Sequence, residues 1–132
     1  METVINWFEI PVLDFAKAVK FYERVFEIKL LEEAMENMPD SRMAIFPHSE
    51  SATGGSLIKG PGFTPHSDGV IVYLNGGADL ALPLSRAQQA GGKIVIPKML
   101  INDKIGYIAH FLDCEGNRIG LHSLPLKKMW RD

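Results

Sequence analysis

The sequence contains only one cysteine, Cys114, no apolar run long enough to cross a membrane, and no excess of basic side chains. One cysteine cannot form an intrachain disulfide or build a thiolate zinc site alone, so a reducing, cytoplasmic setting is expected. A membrane-spanning helix needs about 20 apolar residues in succession. The first ten residues also lack the basic and apolar segments of a secretory signal. We therefore expect neither membrane insertion nor export.

The charge balance argues against a nucleic-acid partner. The chain carries 14 basic and 16 acidic side chains, which give a formal net charge of -2 and a pI near 6.1. A nucleic-acid-binding domain usually has a clear basic excess. Of the 132 residues, 46% are hydrophobic and 23% are charged, which is typical of a soluble globular protein. The length predicts one domain, residues 1–132.

The first half of the chain is predicted to be a strand, a helix and further strands. Residues 3–12 mix β-branched, aromatic and apolar types, as in a strand. Asp14 is a candidate N-cap, and the apolar residues that follow it recur at helical spacing. Further strands are predicted at 28–31, 42–47 and 54–59.

The second half repeats this order of elements. A strand is predicted at 70–74, a helix at 79–90 closed by Gly91 and Gly92, and strands at 93–97, 106–112 and 118–123. Residues 113–117 form the hairpin between the last two strands. Pro83 leaves two possibilities: the first helical turn is distorted, or the helix begins late enough to hold Pro83 in its first turn.

The repeated order predicts an α+β fold of two βαβββ modules. Module one spans about 1–60, a connector rich in Gly and Pro about 60–68, module two about 69–123 and a C-terminal tail 124–132. One sheet covered by one helix buries too little apolar surface to be stable alone. We therefore expect the modules to pair, with a concave mixed sheet around a cavity that binds a small molecule.

Two segments resemble a known superfamily. The segment NWFEIPVLD that ends at Asp14, followed by the Phe21-Tyr22 pair, and the segment GYIAHFLDCEGNRIGLH that ends at His122 are similar to the vicinal oxygen chelate superfamily. This superfamily includes glyoxalase I, bleomycin-resistance proteins, fosfomycin-resistance transferases and extradiol dioxygenases. The resemblance spans nearly the whole chain and implies the paired-module fold. It says little about the reaction, since one scaffold serves many chemistries.

The resemblance also implies where a metal ion would be held. In metal-dependent members, side chains from four strands bind a divalent ion. The corresponding positions here are Trp7, one residue within 54–56, Gly69 and Gly120. Because tryptophan and glycine side chains lack suitable donor atoms, we expect the usual metal centre to be lost and no cofactor to be bound. A divalent-metal-dependent lyase or dioxygenase is the alternative.

Strand alternation places a set of polar and aromatic side chains on the face that would carry the metal. Three of them suit proton transfer and are predicted to be catalytic: Glu9, His110 and His122. The other four are predicted to contact a ligand: Trp7, Ser56, Ile71 and Tyr73. The three catalytic candidates could also form an unorthodox zinc site, because two His and one Glu are a known ligand set.

Each of these residues also has a purely structural interpretation. Glu9 can pair with Arg42 or Arg118 across the sheet. His110 can be a hydrogen-bonded core histidine, and His122 a solvated surface residue. The acidic neighbours of Cys114 make it a poor nucleophile.

Three functions follow from these observations and from the resemblance. The first is a metal-free protein of the bleomycin-resistance type that binds a small organic molecule between the modules. The second is an enzyme on the same scaffold that uses Glu9 with His110 or His122 for acid–base chemistry. The third is the metal-dependent enzyme. The resemblance further implies a homodimer, in which modules are sometimes exchanged.

Overall fold

The computed structural model describes residues 3–125, which form two β-sheets and two α-helices. The elements in chain order are β1 Trp7–Pro11, α1 Phe15–Phe26, β2 Leu31–Glu33, β3 Arg42–Ile45, β4 Gly54–Lys59, β5 Tyr73–Asn75, α2 Ala81–Gln89, β6 Lys93–Asn102, β7 Gly106–Leu112 and β8 Arg118–Ser123. Neither helix has the length and apolar composition needed to cross a bilayer.

The two sheets have the same topology. The strand orders are β1-β4-β3-β2 and β5-β8-β7-β6. In each sheet the first strand of the module is parallel to the last, whereas the other neighbours are antiparallel. The predicted α+β fold of two paired βαβββ modules is therefore confirmed.

Helix α1 begins where the sequence indicates. The side chain of Asp14 accepts a hydrogen bond from the backbone N–H of Lys17, so it caps the helix. The helix ends at Phe26, and the C-cap residue Glu27 adopts a left-handed conformation with φ 53°. One face of α1 is buried, including Phe15, Ala18, Phe21, Tyr22 and Val25. This periodicity matches the amphipathic pattern that predicted the helix.

Helix α2 resolves the question raised by Pro83. It begins at Ala81 with Leu80 at the cap position, so Pro83 lies in the first turn, where its missing N–H has no helical partner to lose. The carboxylate of Asp79 accepts the backbone N–H of Ala81. Leu80 provides no side-chain cap of its own.

Several strand limits differ from the sequence prediction. Strand β1 starts at Trp7 rather than at residue 3, since residues 3–6 are exposed. Strand β6 continues to Asn102, well beyond Pro97; it is an edge strand whose register shifts accommodate the proline. Strand β5 begins only at Tyr73, so Ile71 precedes it. Most of the predicted tail, residues 126–132, lies outside the described residues.

A buried polar network joins the two modules at the hairpin between β7 and β8. The hydroxyl of Tyr22 donates to Asp113 Oδ2 at 2.6 Å. The other oxygen of Asp113 accepts the backbone N–H groups of Glu115 and Asn117. The side-chain amide of Asn117 donates to the carbonyl of Pro11 at 2.7 Å. Burial and the neighbouring Asp113 raise the pKa of Tyr22 well above its ordinary value, so the phenol stays protonated and can donate.

Candidate functional site

In module one, an aromatic ring covers a glycine on the neighbouring strand. Trp7 and Gly54 form the first residue pair of the parallel β1–β4 ladder. A Cβ atom added to Gly54 would lie 2.8 Å from Cζ3 of Trp7 and 2.6 Å from Nε2 of His48. The Trp7 and His48 rings meet edge to face, with centroids 6.1 Å apart. Only glycine at position 54 leaves room for this arrangement.

Module two repeats the arrangement. Tyr73 and Gly120 are the first residue pair of the parallel β5–β8 ladder. A Cβ atom on Gly120 would lie 2.5 Å from Cδ2 of Tyr73. The Tyr73 and His110 rings meet at a steep angle, with centroids 5.2 Å apart. The register therefore makes Tyr73, and not the predicted Gly69, the counterpart of Trp7 at the start of the module's first strand.

These positions do not fit the metal centre that metal-dependent relatives carry. Trp7, Gly54 and Gly120 offer no side-chain lone pair suited to a divalent ion, and rings cover the space that carboxylates would need at Gly54 and Gly120. The fourth position, Tyr73, has a phenol oxygen, but this oxygen is hydrogen-bonded to His110. Within residues 3–125, no group of three or more His, Cys, Asp or Glu side chains could hold a metal ion. The unorthodox set of Glu9, His110 and His122 is therefore not assembled.

Tyr73, His110 and Arg118 form a hydrogen-bonded chain. The Oη atom of Tyr73 lies 2.6 Å from Nε2 of His110, and Nε of Arg118 donates to His110 Nδ1 at 2.9 Å. His110 is buried, whereas Tyr73 is 45% exposed. Burial, followed by the positive charge of Arg118, lowers the pKa of His110. The imidazole is therefore neutral near pH 7.

His122 occupies a separate position on the same strand as Gly120. Its Nε2 lies 2.6 Å from the carbonyl oxygen of Ile105. A carbonyl can only accept, so Nε2 carries the proton. The other ring nitrogen, Nδ1, has no hydrogen-bond partner among residues 3–125. The strand register places His122 diagonally from His110, since His110 pairs with Gly120 and His122 with Ile108.

The remaining predicted residues are more scattered. Glu9 is exposed on β1 and forms no hydrogen bond or ion pair with any described residue. The suggested partner Arg42 pairs instead with Glu32 at 2.9 Å. Ser56, the strand neighbour of Glu9, is fully buried, and its Oγ has no hydrogen-bond partner in the described part of the chain. Ile71 is half-buried just before β5.

One cavity lies in module two, with a volume of about 830 Å³. Its lining includes four polar residues: Tyr73, Asn75, His122 and Ser123. The apolar part of its wall consists mainly of Leu74, Ile101, Ile105, Ile108 and Leu124. An apolar wall with a few convergent polar groups is typical of a site for a small organic molecule. Sequence alternation identified Tyr73 and His122, but it gave no sign of the apolar residues that β6 and the following turn contribute.

A second cavity of about 420 Å³ lies between the modules. Module one supplies an aromatic wall that includes Phe8, Phe26 and Phe46. Module two supplies Leu74, Asn75 and Gly77, which also line the larger cavity. The two cavities therefore share one wall. We call them the module-two cavity and the inter-module cavity.

Cys114 is poorly suited to act as a nucleophile. Burial, then the charges of Asp113 and Glu115, raise the pKa of its thiol to about 11. The reactive thiolate is therefore scarce near neutral pH. This agrees with the sequence interpretation of its acidic neighbours.

Comparison with known protein families gives a match over most of the chain. The family model for the Glyoxalase/Bleomycin resistance protein/Dioxygenase superfamily matches residues 4–121. No curated protein sequence matches the chain.

Solved structures share the fold. Glyoxalase I from Zea mays superposes with a TM-score of 0.65 at 21% identity, over 95% of this chain and 47% of the maize chain. This chain thus spans about half the length of the maize protein. Glyoxalase I from Leishmania major gives a TM-score of 0.66 at 19% identity, over 98% of this chain and 91% of that one. A glyoxalase/bleomycin resistance protein from Streptomyces sp. CB03234 gives 0.64 at 25% identity, over 90% of this chain and 99% of that one.

Proposed function

The chain belongs to the glyoxalase/bleomycin resistance protein/dioxygenase superfamily, and from this premise we propose that it binds a small organic molecule in the module-two cavity. The observation that supports the proposal is the cavity itself, about 830 Å³ in volume, with an apolar wall and the polar side chains of Tyr73, Asn75 and His122. Such a volume and lining suit a ligand with an apolar body and a few polar atoms. The shared wall lets a longer ligand extend toward the inter-module cavity.

The proposal includes acid–base chemistry at His122. Because its Nε2–H donates to the carbonyl of Ile105, Nδ1 is the ring nitrogen that is left to interact with a proton of a bound ligand. His110 lacks this capacity, since both of its ring nitrogens are already hydrogen-bonded. Glu9 lies on the exposed edge of module one and lines neither cavity, so the proposed proton transfer depends on His122. A homodimer completes the proposal, as is common for this superfamily.

We also propose that the chain works without the divalent ion of its metal-dependent relatives. The support is the pair of rings, Trp7 over Gly54 and Tyr73 over Gly120, in place of metal ligands. Protein purified without chelators and dialysed against Ni²⁺, Zn²⁺ and Mn²⁺ in turn is expected to retain well below one ion per chain by elemental analysis. One tightly held ion per chain would contradict this proposal and favour the metal-dependent alternative.

A fluorescent aromatic ketone, 2-acetylnaphthalene, tests the binding site directly. Ile101 lines the module-two cavity and is 43% exposed, so Ile101→Trp should fill the cavity without disturbing the core. We expect this substitution to weaken the binding of 2-acetylnaphthalene about tenfold or more, because the added indole competes for the same volume. Fluorescence titration measures the dissociation constant.

Leu82→Trp is the matched control, since Leu82 is an exposed aliphatic residue on α2 outside both cavities. It should bind the probe like the unmodified protein. Equal losses in the two variants, or no binding to the unmodified protein, would argue against the proposed site.

A further inference from the structure

The hydrogen-bond chain of Tyr73, His110 and Arg118 has only one chemically allowed direction. The Nε–H of a guanidinium can only donate, so Nδ1 of His110 must be the acceptor. A neutral imidazole with an unprotonated Nδ1 carries its hydrogen on Nε2. That Nε2–H must then donate to the oxygen of Tyr73, which lies 2.6 Å away.

Other protonation states are excluded by the same contacts. A doubly protonated His110 would direct its Nδ1–H at the Nε–H of Arg118. The positive charge of Arg118 and the burial of His110 also oppose that state. If Tyr73 instead donated to Nε2, neither ring nitrogen would carry a hydrogen, and the ring would be an anion. Tyr73 therefore accepts from His110, and its own hydroxyl hydrogen is left without an acceptor among residues 3–125.

We propose that Tyr73 recognises the ligand by donating this hydroxyl hydrogen to an acceptor oxygen, so that the site selects apolar molecules that carry a carbonyl or ether oxygen. The inference rests on the proposed function, because Tyr73 lines the module-two cavity. A phenol that accepts one hydrogen bond becomes a stronger donor in the next, since successive bonds polarise one another.

The surroundings of Tyr73 hold its hydroxyl in place for this role. The ring rests on Gly120, where any side chain would collide with it, and its edge contacts the ring of His110. Tyr73, which lines the cavity and is 45% exposed, therefore has little conformational freedom left to lose on binding. His110 and Arg118 are positioning residues in this arrangement: they set the direction of the hydrogen bond but leave the contact with the ligand to Tyr73.

Two probes of nearly equal shape test the proposal. The ketone 2-acetylnaphthalene has an acceptor oxygen, whereas 2-isopropenylnaphthalene replaces that oxygen with a methylene group. We expect Tyr73→Phe to weaken binding of the ketone about three- to tenfold and to leave binding of the alkene unchanged, since one hydrogen bond is lost. Arg118→Met should give the same selective loss, because without Arg118 the His110 ring is free to accept the hydrogen of Tyr73.

Both probes are neutral, so the charge of Arg118 does not itself attract either one. Unchanged ketone affinity in Tyr73→Phe, or equal losses for both probes, would overturn the proposal. Failure of both probes to bind the unmodified protein would instead overturn the proposed function and this inference with it.

Nitrogen-15 NMR of the ligand-free protein tests the direction of the hydrogen bonds from Arg118 to His110 and from His110 to Tyr73, independently of any probe. At neutral pH we expect an unprotonated Nδ1 and a protonated Nε2 in His110. A protonated Nδ1 would overturn the proposal even if both probes bind.

Discussion

Asp113→Ala is expected to lower the free energy of unfolding by about 3–5 kcal/mol, since several buried donors lose their acceptor at once. The carboxylate accepts the hydroxyl of Tyr22, two backbone N–H groups of its own hairpin and the side-chain amide of Asn117. Tyr22 is fully buried, so water cannot replace the lost acceptor without a rearrangement. A typical domain has only about 5–15 kcal/mol of stability in total.

Urea denaturation followed by circular dichroism measures this effect, and two further variants separate its causes. Asp68→Ala removes an exposed carboxylate and should change the stability by no more than about 0.5 kcal/mol. Tyr22→Phe removes one donor but keeps the carboxylate with its other bonds, so a loss of about 1 kcal/mol is expected. If Asp113→Ala unfolded at nearly the same urea concentration as Asp68→Ala, the buried network would not be what joins the modules.

The second large effect is expected at Gly120. A Cβ atom there would overlap the ring of Tyr73, so Gly120→Ala should cost about 1–3 kcal/mol of stability. The ring cannot move aside without breaking its hydrogen bond to His110. The added methyl group thus disturbs both the packing of the Tyr73 ring and its hydrogen bond to His110.

A double-mutant cycle with Tyr73→Ala tests the cause of this loss. Once the ring is removed, Gly120→Ala should cost little, because its methyl group has room. The two substitutions should therefore be strongly non-additive. Equal costs of Gly120→Ala with and without the ring would mean that the collision is absent in solution.

The parts of the fold that could be predicted from the sequence are those with local signals. Asp14 and the apolar period that follows it placed α1, and the hairpin at 113–117 placed β7 and β8 at their observed limits. The limits of β1 and β6 were missed because they depend on contacts with neighbouring strands. Nothing in the sequence shows that residues 3–6 do not pair with a neighbouring strand, or that Pro97 lies on a sheet edge.

The site was predictable only in part, for a similar reason. Strand alternation placed Tyr73 and His110 on one face, and the structure brings them to 2.6 Å. The role of Arg118 was missed, although it pairs with Leu112 across the hairpin and so shares a face with His110. The sequence suggests Arg118 only as a partner for Glu9. The module-two cavity depends on Ile101 of β6 and Ile105 of the turn after it, whose positions local patterns do not encode.

The pairs Trp7–Gly54 and Tyr73–Gly120 constrain the order in which single substitutions could have produced this sequence. A carboxylate or any other side chain at 54 or 120 leaves no space for the ring opposite. In each half the small residue therefore has to come first, and the aromatic residue second. An intermediate with the glycine and without the ring would have an empty slot on the sheet, open to whatever molecule filled it.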